Sequence, residues 1–187
     1  MSIKLFSSLV FYMDLQDLYK KYKRMVFNLA LQYVHNREDA EEVLQDVFVK
    51  VHEKLHTFRA EANVKTWIYR ITIHQSLDFL KAKKAQKRWS FFSAFSLQQE
   101  EKPIEIPHFD HPGVEMEQKE SLANIFACIH QLPENQKTAL ILLKIEQQSQ
   151  AEVAEIMDLS IKAVESLFQR AKKNLEKLLS SSEGIEK

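Results

Sequence analysis

Apolar residues recur at helical spacing along most of the chain, and no stretch shows the alternation of a half-buried strand. From Asp14 to His35 the apolar positions are Leu15, Leu18, Tyr22, Val26, Leu29 and Tyr33, which share one helix face. The segment "HNRED" breaks that pattern, and Asn36 is placed to cap a second helix. That helix carries Ala40, Val43, Leu44, Val47, Val51 and Leu55 on one side. After the loop "TFRAEAN", Asn63 can cap a third helix with Val64, Trp67, Ile68 and Ile71, running to about Arg88. The pattern predicts a compact helical domain over residues 14–88, with an extension, residues 1–13, before it.

Residues 89–113 change character. Three of the four prolines and one of the two glycines lie there, without a sustained period. That composition reads as a linker. Its aromatics, Trp89, Phe91, Phe92 and Phe95, are too many for a purely solvated tether and predict that part of it docks somewhere. Helical spacing resumes from Val114, with Leu122, Phe126 and Ile129 on one stripe and Pro133 at a helix start. "SQAE", from Ser149 to Glu152, has the spacing of a capping box. A short helix with Val153, Ala154 and Met157 follows, then a turn at Asp158, then Ser160 as the cap of a last helix. A short helix, a tight turn and a second capped helix make a helix-turn-helix. In the last helix Val164, Leu167, Phe168, Ala171 and Leu175 face inward. Lys162, Glu165, Ser166, Gln169, Arg170 and Lys173 face out. The predicted fold is all-α: two small helical domains, residues 14–88 and 114–180, joined by a flexible linker, with a tail over 181–187.

Composition narrows the chemistry. With 187 residues but only 2 Gly, the chain has no Gly-rich phosphate loop. Its single Cys, Cys128, excludes an internal disulfide framework and a multi-Cys zinc site. It sits in an apolar helical pattern, so a small buried side chain is its role, and a reduced, cytoplasmic setting fits. The N-terminus has a short apolar run but no small-residue cleavage site, and no stretch has the length of a membrane span, so no membrane insertion is expected. The net charge is zero, yet its distribution is uneven. Glu38, Asp39, Glu41, Glu42 and Asp46 form an acidic cluster, while Lys81, Lys83, Lys84, Lys87 and Arg88 form a basic run. Opposite clusters in one small chain point to two different partners. Gln, Ser and Arg on the last helix are side chains that hydrogen-bond base edges, and Lys suits phosphates. By itself that segment fits an ordinary surface helix as well as a reading helix.

One short motif competes. His52 to His56 reads "HEKLH", the spacing that places two His on one helix face for zinc, with Glu53 as general base. No extension supplies a third His, Lys54 puts a charge inside the motif, and no strand precedes the helix. The simpler reading is a polar face beside the Val51 and Leu55 stripe. No cofactor or metal is expected.

Three segments, in order, resemble the extracytoplasmic-function sigma factors, the small two-domain class of bacterial transcription initiation factor. "DAEEVLQDVFVKV" (Asp39–Val51) is similar to the segment that binds the clamp of RNA polymerase. "TWIYRI" (Thr66–Ile71), after "FRAEAN", is similar to the promoter-melting segment. Leu132–Leu175 is similar to the domain that reads the minus-thirty-five element. The resemblance implies polymerase attachment through Asp39, Glu42, Gln45 and Asp46. It implies minus-ten contacts from Phe58, Arg59, Asn63, Lys65, Trp67, Arg70, His74, Lys81 and Lys84. It implies minus-thirty-five contacts from Lys162, Ala163, Glu165, Ser166, Gln169, Arg170 and Lys173. The implied partners are core RNA polymerase, promoter DNA and an anti-sigma factor, and no residue is catalytic, because the polymerase does the chemistry. Trp67 also has the spacing of a core residue. His74 stands where relatives carry Asn, Glu165 where many carry Lys or Arg, and Asp158 where a turn Gly is common. Asp tolerates the left-handed region, so the turn is kept. A DNA-binding regulator using only the second domain leaves the first domain without a role.

Overall fold

The computed structural model describes residues 14–56, 58, 63–94 and 116–183, with side chains for 14–56, 58, 63–89 and 124–181. The chain divides into two compact units, Met1–Pro103 and Ile104–Lys187. Every element among the described residues is helical.

The first unit holds α1 (Leu15–Val34), α2 (Arg37–Leu55) and α3 (Val64–Ala94). Asp14 caps α1 by accepting from the Gln16 N–H at 3.4 Å. At the other end His35 takes a left-handed conformation (φ 59°), and its N–H closes on the Leu31 carbonyl at 3.0 Å. That reversal brings Asn36 directly to the cap of α2, where its side chain accepts from the Asp39 N–H at 3.0 Å. Two residues thus join antiparallel helices. Asn63 starts α3 in the same way, accepting from the Lys65 N–H at 2.9 Å.

The three helices pack against one another. Leu18, Val26, Leu29 and Tyr33 of α1, Ala40, Val43, Val47 and Val51 of α2, and Ile68 and Tyr69 of α3 make the core. Leu15, Leu44 and Leu55, expected on the same stripes, are half-buried. Two of the buried hydroxyls of α3 are satisfied within the helix: Thr72 donates to the Ile68 carbonyl and Ser76 to the Thr72 carbonyl, both at 2.8 Å. The helix runs on past Arg88 to Ala94, into the predicted linker. Trp89 is 80% exposed, so it does not dock on its own unit. The side chains of Phe91, Phe92 and Phe95 lie outside the described residues.

The second unit holds α4 (Met116–Gln131), α5 (Glu134–Leu140), α6 (Gln150–Met157) and α7 (Ile161–Glu183). Pro133 stands at the start of α5. After Leu140 the helix widens into one π-helical turn, Ile141–Ile145, closed by the Glu146 N–H on the Ile141 carbonyl at 2.9 Å. Gln147 then takes φ 53° and turns the chain towards α6. The α6 capping box is complete: the Ser149 Oγ accepts from the Glu152 N–H at 3.2 Å, and the Ser149 N–H donates to the Glu152 carboxylate at 2.8 Å. Asp158 ends α6 at φ 55°, and the Leu159 N–H reaches back to the Ala154 carbonyl at 3.0 Å. That is a Schellman ending with Asp in the position glycine usually fills. Ser160 caps α7 by accepting from the Ala163 N–H at 3.2 Å.

Helix α7 packs against α4, α5 and α6. Ala171 joins Ile129, Leu132 and Leu140 in a core bordered by Ile125, Phe126, Leu175 and Leu178. Val164 is fully buried, and Leu167, Phe168 and Leu175 are half-buried. Asn174 of α7 donates to the Gln136 side chain of α5 at 2.8 Å. Cys128 is buried, as its apolar setting predicts.

The core assignment is testable by denaturation. Leu29→Ala empties a fully buried position and should lower unfolding free energy by about 2–5 kcal/mol. Val49→Ala, at an exposed position of α2, should cost less than about 0.5 kcal/mol. Similar urea midpoints for the two variants would place Leu29 outside the core.

Candidate functional site

The buried valines of α2 turn a different stripe to solvent. Glu42, Gln45 and Asp46 are all exposed on it. Val49, 58% exposed, continues the same stripe one turn on. Asp39 departs from it. Its side chain is 17% exposed and forms an ion pair with Lys83 of α3. Asp39 therefore ties two helices together, while the other three carboxylate and amide groups stay open.

On α3 a second stripe runs from the Asn63 cap through Trp67, Arg70, His74 and Lys81 to Arg88. Trp67 is half-buried, and its ring packs on Phe58 with centroids 4.7 Å apart and planes tilted by 40°. The two rings form an aromatic corner where the loop meets the helix. Arg70 is half-buried, His74 is exposed, and every residue from Lys81 to Trp89 is exposed. Lys81 reaches Asp78 at 3.4 Å, an exposed pair worth little. Lys84 lies at the edge of the stripe. Lys65 points elsewhere, with its ammonium 5.7 Å from the Tyr69 ring centre. Arg59 lies outside the described residues.

On α7 the outward residues fall into two adjacent rows. Glu165, Gln169 and Lys173 share one row, while Lys162, Ser166 and Arg170 follow the next. All six are exposed, and Ala163 is half-buried. Arg170 is braced rather than loose. Its Nε donates to the Ser166 carbonyl and its terminal nitrogen to the Ser166 hydroxyl, each at 3.2 Å. Two exposed residues beside these rows lie outside the pattern expected from sequence: Leu159 (38%) and Ile161 (49%). Val49 on α2 was equally unanticipated. For Val49 the available signal was an apolar residue out of phase with the buried stripe, whereas Ile161 keeps the spacing of its stripe and gave no such signal.

The "HEKLH" segment lies at the end of α2, with His52, Glu53 and His56 exposed. Glu53 accepts from Lys50 at 2.8 Å. That hydrogen bond, and then the Lys50 charge, hold the carboxyl below the usual carboxylate range. A general base needs the opposite shift. No group of three or more metal-capable side chains occurs among the described residues.

Comparison with known proteins agrees with this division into units. Residues 18–86 match the family described as Sigma-70 region 2, and residues 122–175 match Sigma-70, region 4. The chain is similar to the ECF RNA polymerase sigma-E factor of Haemophilus influenzae, at 31% identity over 159 residues, covering 85% of this chain and 84% of that one. It is also similar to the RNA polymerase sigma-H factor of Pseudomonas aeruginosa, at 30% identity over 159 residues and coverage of 85% and 82%. Among solved structures, the fold is similar to CnrH in complex with the cytosolic domain of CnrY, with a TM-score of 0.64, 18% identity and coverage of 97% and 99%. It is similar too to the sigma factor RpoE in complex with the anti-sigma factor NepR from Bartonella quintana, with a TM-score of 0.59, 18% identity and coverage of 88% and 96%. Two helical units of this kind define a promoter-recognition subunit rather than an enzyme. The chain belongs to the extracytoplasmic-function group of the sigma-70 family, and it directs RNA polymerase to promoters.

A zinc-peptidase reading of "HEKLH" makes a contrary prediction. Purified protein should carry no stoichiometric zinc by elemental analysis, and Glu53→Gln should leave promoter-directed transcription unchanged. Bound zinc together with a proteolytic activity lost in Glu53→Gln would overturn this.

Proposed function

We propose that the α2 stripe of Glu42, Gln45 and Asp46 docks on core RNA polymerase, that the α3 stripe holds and opens the minus-ten element, and that the outward rows of α7 read the minus-thirty-five element. The observation that carries this reading is the chemical contrast between exposed faces. The α2 face is acidic and continues into the exposed apolar Val49, which suits a cationic protein surface. The α3 face pairs an aromatic corner with a row of cations, the combination that stacks bases and follows phosphates. The α7 face mixes Gln, Glu, Ser and Arg, which suits base edges.

Within this reading residues 14–88 form the polymerase and minus-ten domain, 89–113 the linker and 114–180 the minus-thirty-five domain. The described helices refine the first boundary, because α3 runs to Ala94. Asp39 acts as a brace between α2 and α3 rather than as a polymerase contact, on the strength of its ion pair with Lys83. Trp67 contributes an edge to the aromatic corner while its other face packs on Phe58. The protein works in the cytoplasm, where promoters and polymerase are. No helix among the described residues is long and apolar enough to cross a membrane. An anti-sigma factor is its regulatory partner. The support is that CnrH was solved with the cytosolic domain of CnrY, and RpoE with the anti-sigma factor NepR.

The polymerase contact is tested by reversing charge. Glu42→Lys with Asp46→Lys should abolish co-purification with core polymerase while helix content by circular dichroism stays at the wild-type level. Unchanged binding would remove α2 from the interface. The base contacts are tested with a promoter library randomised upstream. Glu165→Ala or Gln169→Ala should relax preference at one position each, by about 1–3 kcal/mol, without loss of fold. Lys173→Ala should weaken all promoters alike and flatten the salt dependence. Wild-type base preference in both the Glu165 and Gln169 variants would make α7 an ordinary surface helix.

A further inference from the structure

Leu159 and Ile161 are the large apolar side chains that stand exposed in the second unit, among its described residues. Leu159 has a local reason to be apolar. It follows Asp158 at the Schellman ending of α6, where a hydrophobic side chain packs back on the helix just closed. It also directly precedes the Ser160 cap, the position from which an apolar residue staples onto the fully buried Val164. Ile161 has neither role. It is the first residue of α7, and although it keeps the spacing of Val164 and Phe168, three and seven residues on, about half of its surface is exposed at this end of the helix.

Its register decides what it can meet. Ile161, Glu165 and Gln169 are spaced four apart and form one row along α7, beside the row of Lys162, Ser166 and Arg170. We infer that Ile161 reads the C5-methyl group of a thymine in the upstream promoter element and is a specificity-determining residue of this chain. The inference rests on the proposal that α7 is the reading helix. Along the major groove, thymine is the base that presents a methyl group, and apolar side chains meet it there. The N-terminal turns of a recognition helix are the part that reaches base edges. The N-terminal part of this row, Ile161, Glu165 and Gln169, carries no cation before Lys173 one turn further on, so its discrimination comes from shape and hydrogen bonding: a methyl contact, the Glu165 acceptor and the Gln169 amide. The flanking row, with Lys162 and Arg170, supplies the charge that suits the backbone. Four residues of helix rise about 6 Å, so the thymine should lie about two base pairs from the base that Glu165 meets.

The test removes the methyl group and nothing else. Holoenzyme formed from the full chain and core polymerase is assayed on a promoter whose upstream thymines are replaced, one at a time, by 2′-deoxyuridine. Wild-type activity should fall about fourfold at one thymine, the factor expected from one buried methyl group. Ile161→Ala should lose about the same factor on the thymine template and no longer distinguish thymine from uracil there. Ile161→Val should keep the distinction. Circular dichroism at wild-type helix content confirms that each variant is folded. Equal use of thymine and uracil at every position by the wild type overturns the inference. So does a thymine preference that persists in Ile161→Ala, or an equal loss on all templates, which would make Ile161 a protein contact. Base-pair swaps at the positions read by Glu165 and Gln169 separate the two levels. If swaps matter while uracil is tolerated, only the methyl contact is wrong. If swaps do not matter either, α7 is not the reading helix.

Discussion

A few fully buried, small apolar side chains set the rotation of each helix about its own axis, and every exposed face depends on that setting. On α2 these are Ala40, Val43, Val47 and Val51, each fully buried. On α7 they are Val164 and Ala171. Such residues permit close approach between helices, and their branched or short side chains leave few alternative rotamers. With α2 locked this way, Glu42, Gln45 and Asp46 have no choice but to face solvent. With α7 locked, Ile161, Glu165 and Gln169 are held in one row. Turning either helix by one residue would bury a charge without a partner and expose a valine, and both changes oppose it.

Electrostatics acts on this frame more than it builds it. Arg37–Glu41 and Lys50–Glu53 are exposed ion pairs, each within one helix. Their net worth is small. Asp39–Lys83 differs because it joins residues 44 apart in sequence and its carboxylate is largely shielded. It neutralises one cation of the basic run and one anion of the acidic cluster at the place where the two helices meet. The remaining charges stay segregated, in a chain whose positive and negative groups number 26 each. A neutral whole gives little long-range attraction to DNA. Each promoter element therefore has to be met by local contacts, with polymerase supplying the effective concentration of one unit once the other has bound.

The features legible in sequence were those carried by local chemistry. The Asn36 and Asn63 caps, the Ser149–Glu152 capping box, the Ser160 cap and the left-handed Asp158 all follow from side chains that bond neighbouring backbone groups. The buried stripes followed from period alone. What periodicity missed was non-local or depended on backbone detail. The π-helical turn at Ile141–Ile145 lies in a run that is apolar but for Lys144, which gives no signal of a widened turn. Gln147 in the left-handed region carries no glycine to announce it. The extension of α3 to Ala94 was hidden because Trp89 to Ala94 has linker-like aromatics but no helix breaker. Asp39 reads as one more exposed acid until α3 brings Lys83 to it.

The exposed site was harder to read than the core for a physical reason. A buried stripe is defined by many residues obeying one rule, whereas a recognition face is defined by single departures from it. Val49 and Ile161 are such departures: each is apolar where burial does not require it. On α7 the departure is organised. Ile161, Glu165 and Gln169 form a row without a cation before Lys173, and the adjoining row of Lys162, Ser166 and Arg170 carries two. Arg170, held by two bonds to Ser166, enters that row already ordered, so less side-chain entropy is lost when it meets a partner. On the proposed reading, discrimination and attraction fall largely on neighbouring rows of one helix. A carboxylate such as Glu165 repels phosphate but accepts from a base edge, so it discriminates only if other residues supply the attraction. The same division explains how a chain without net positive charge can contain a DNA-reading helix. The affinity need not come from the residues that select the sequence.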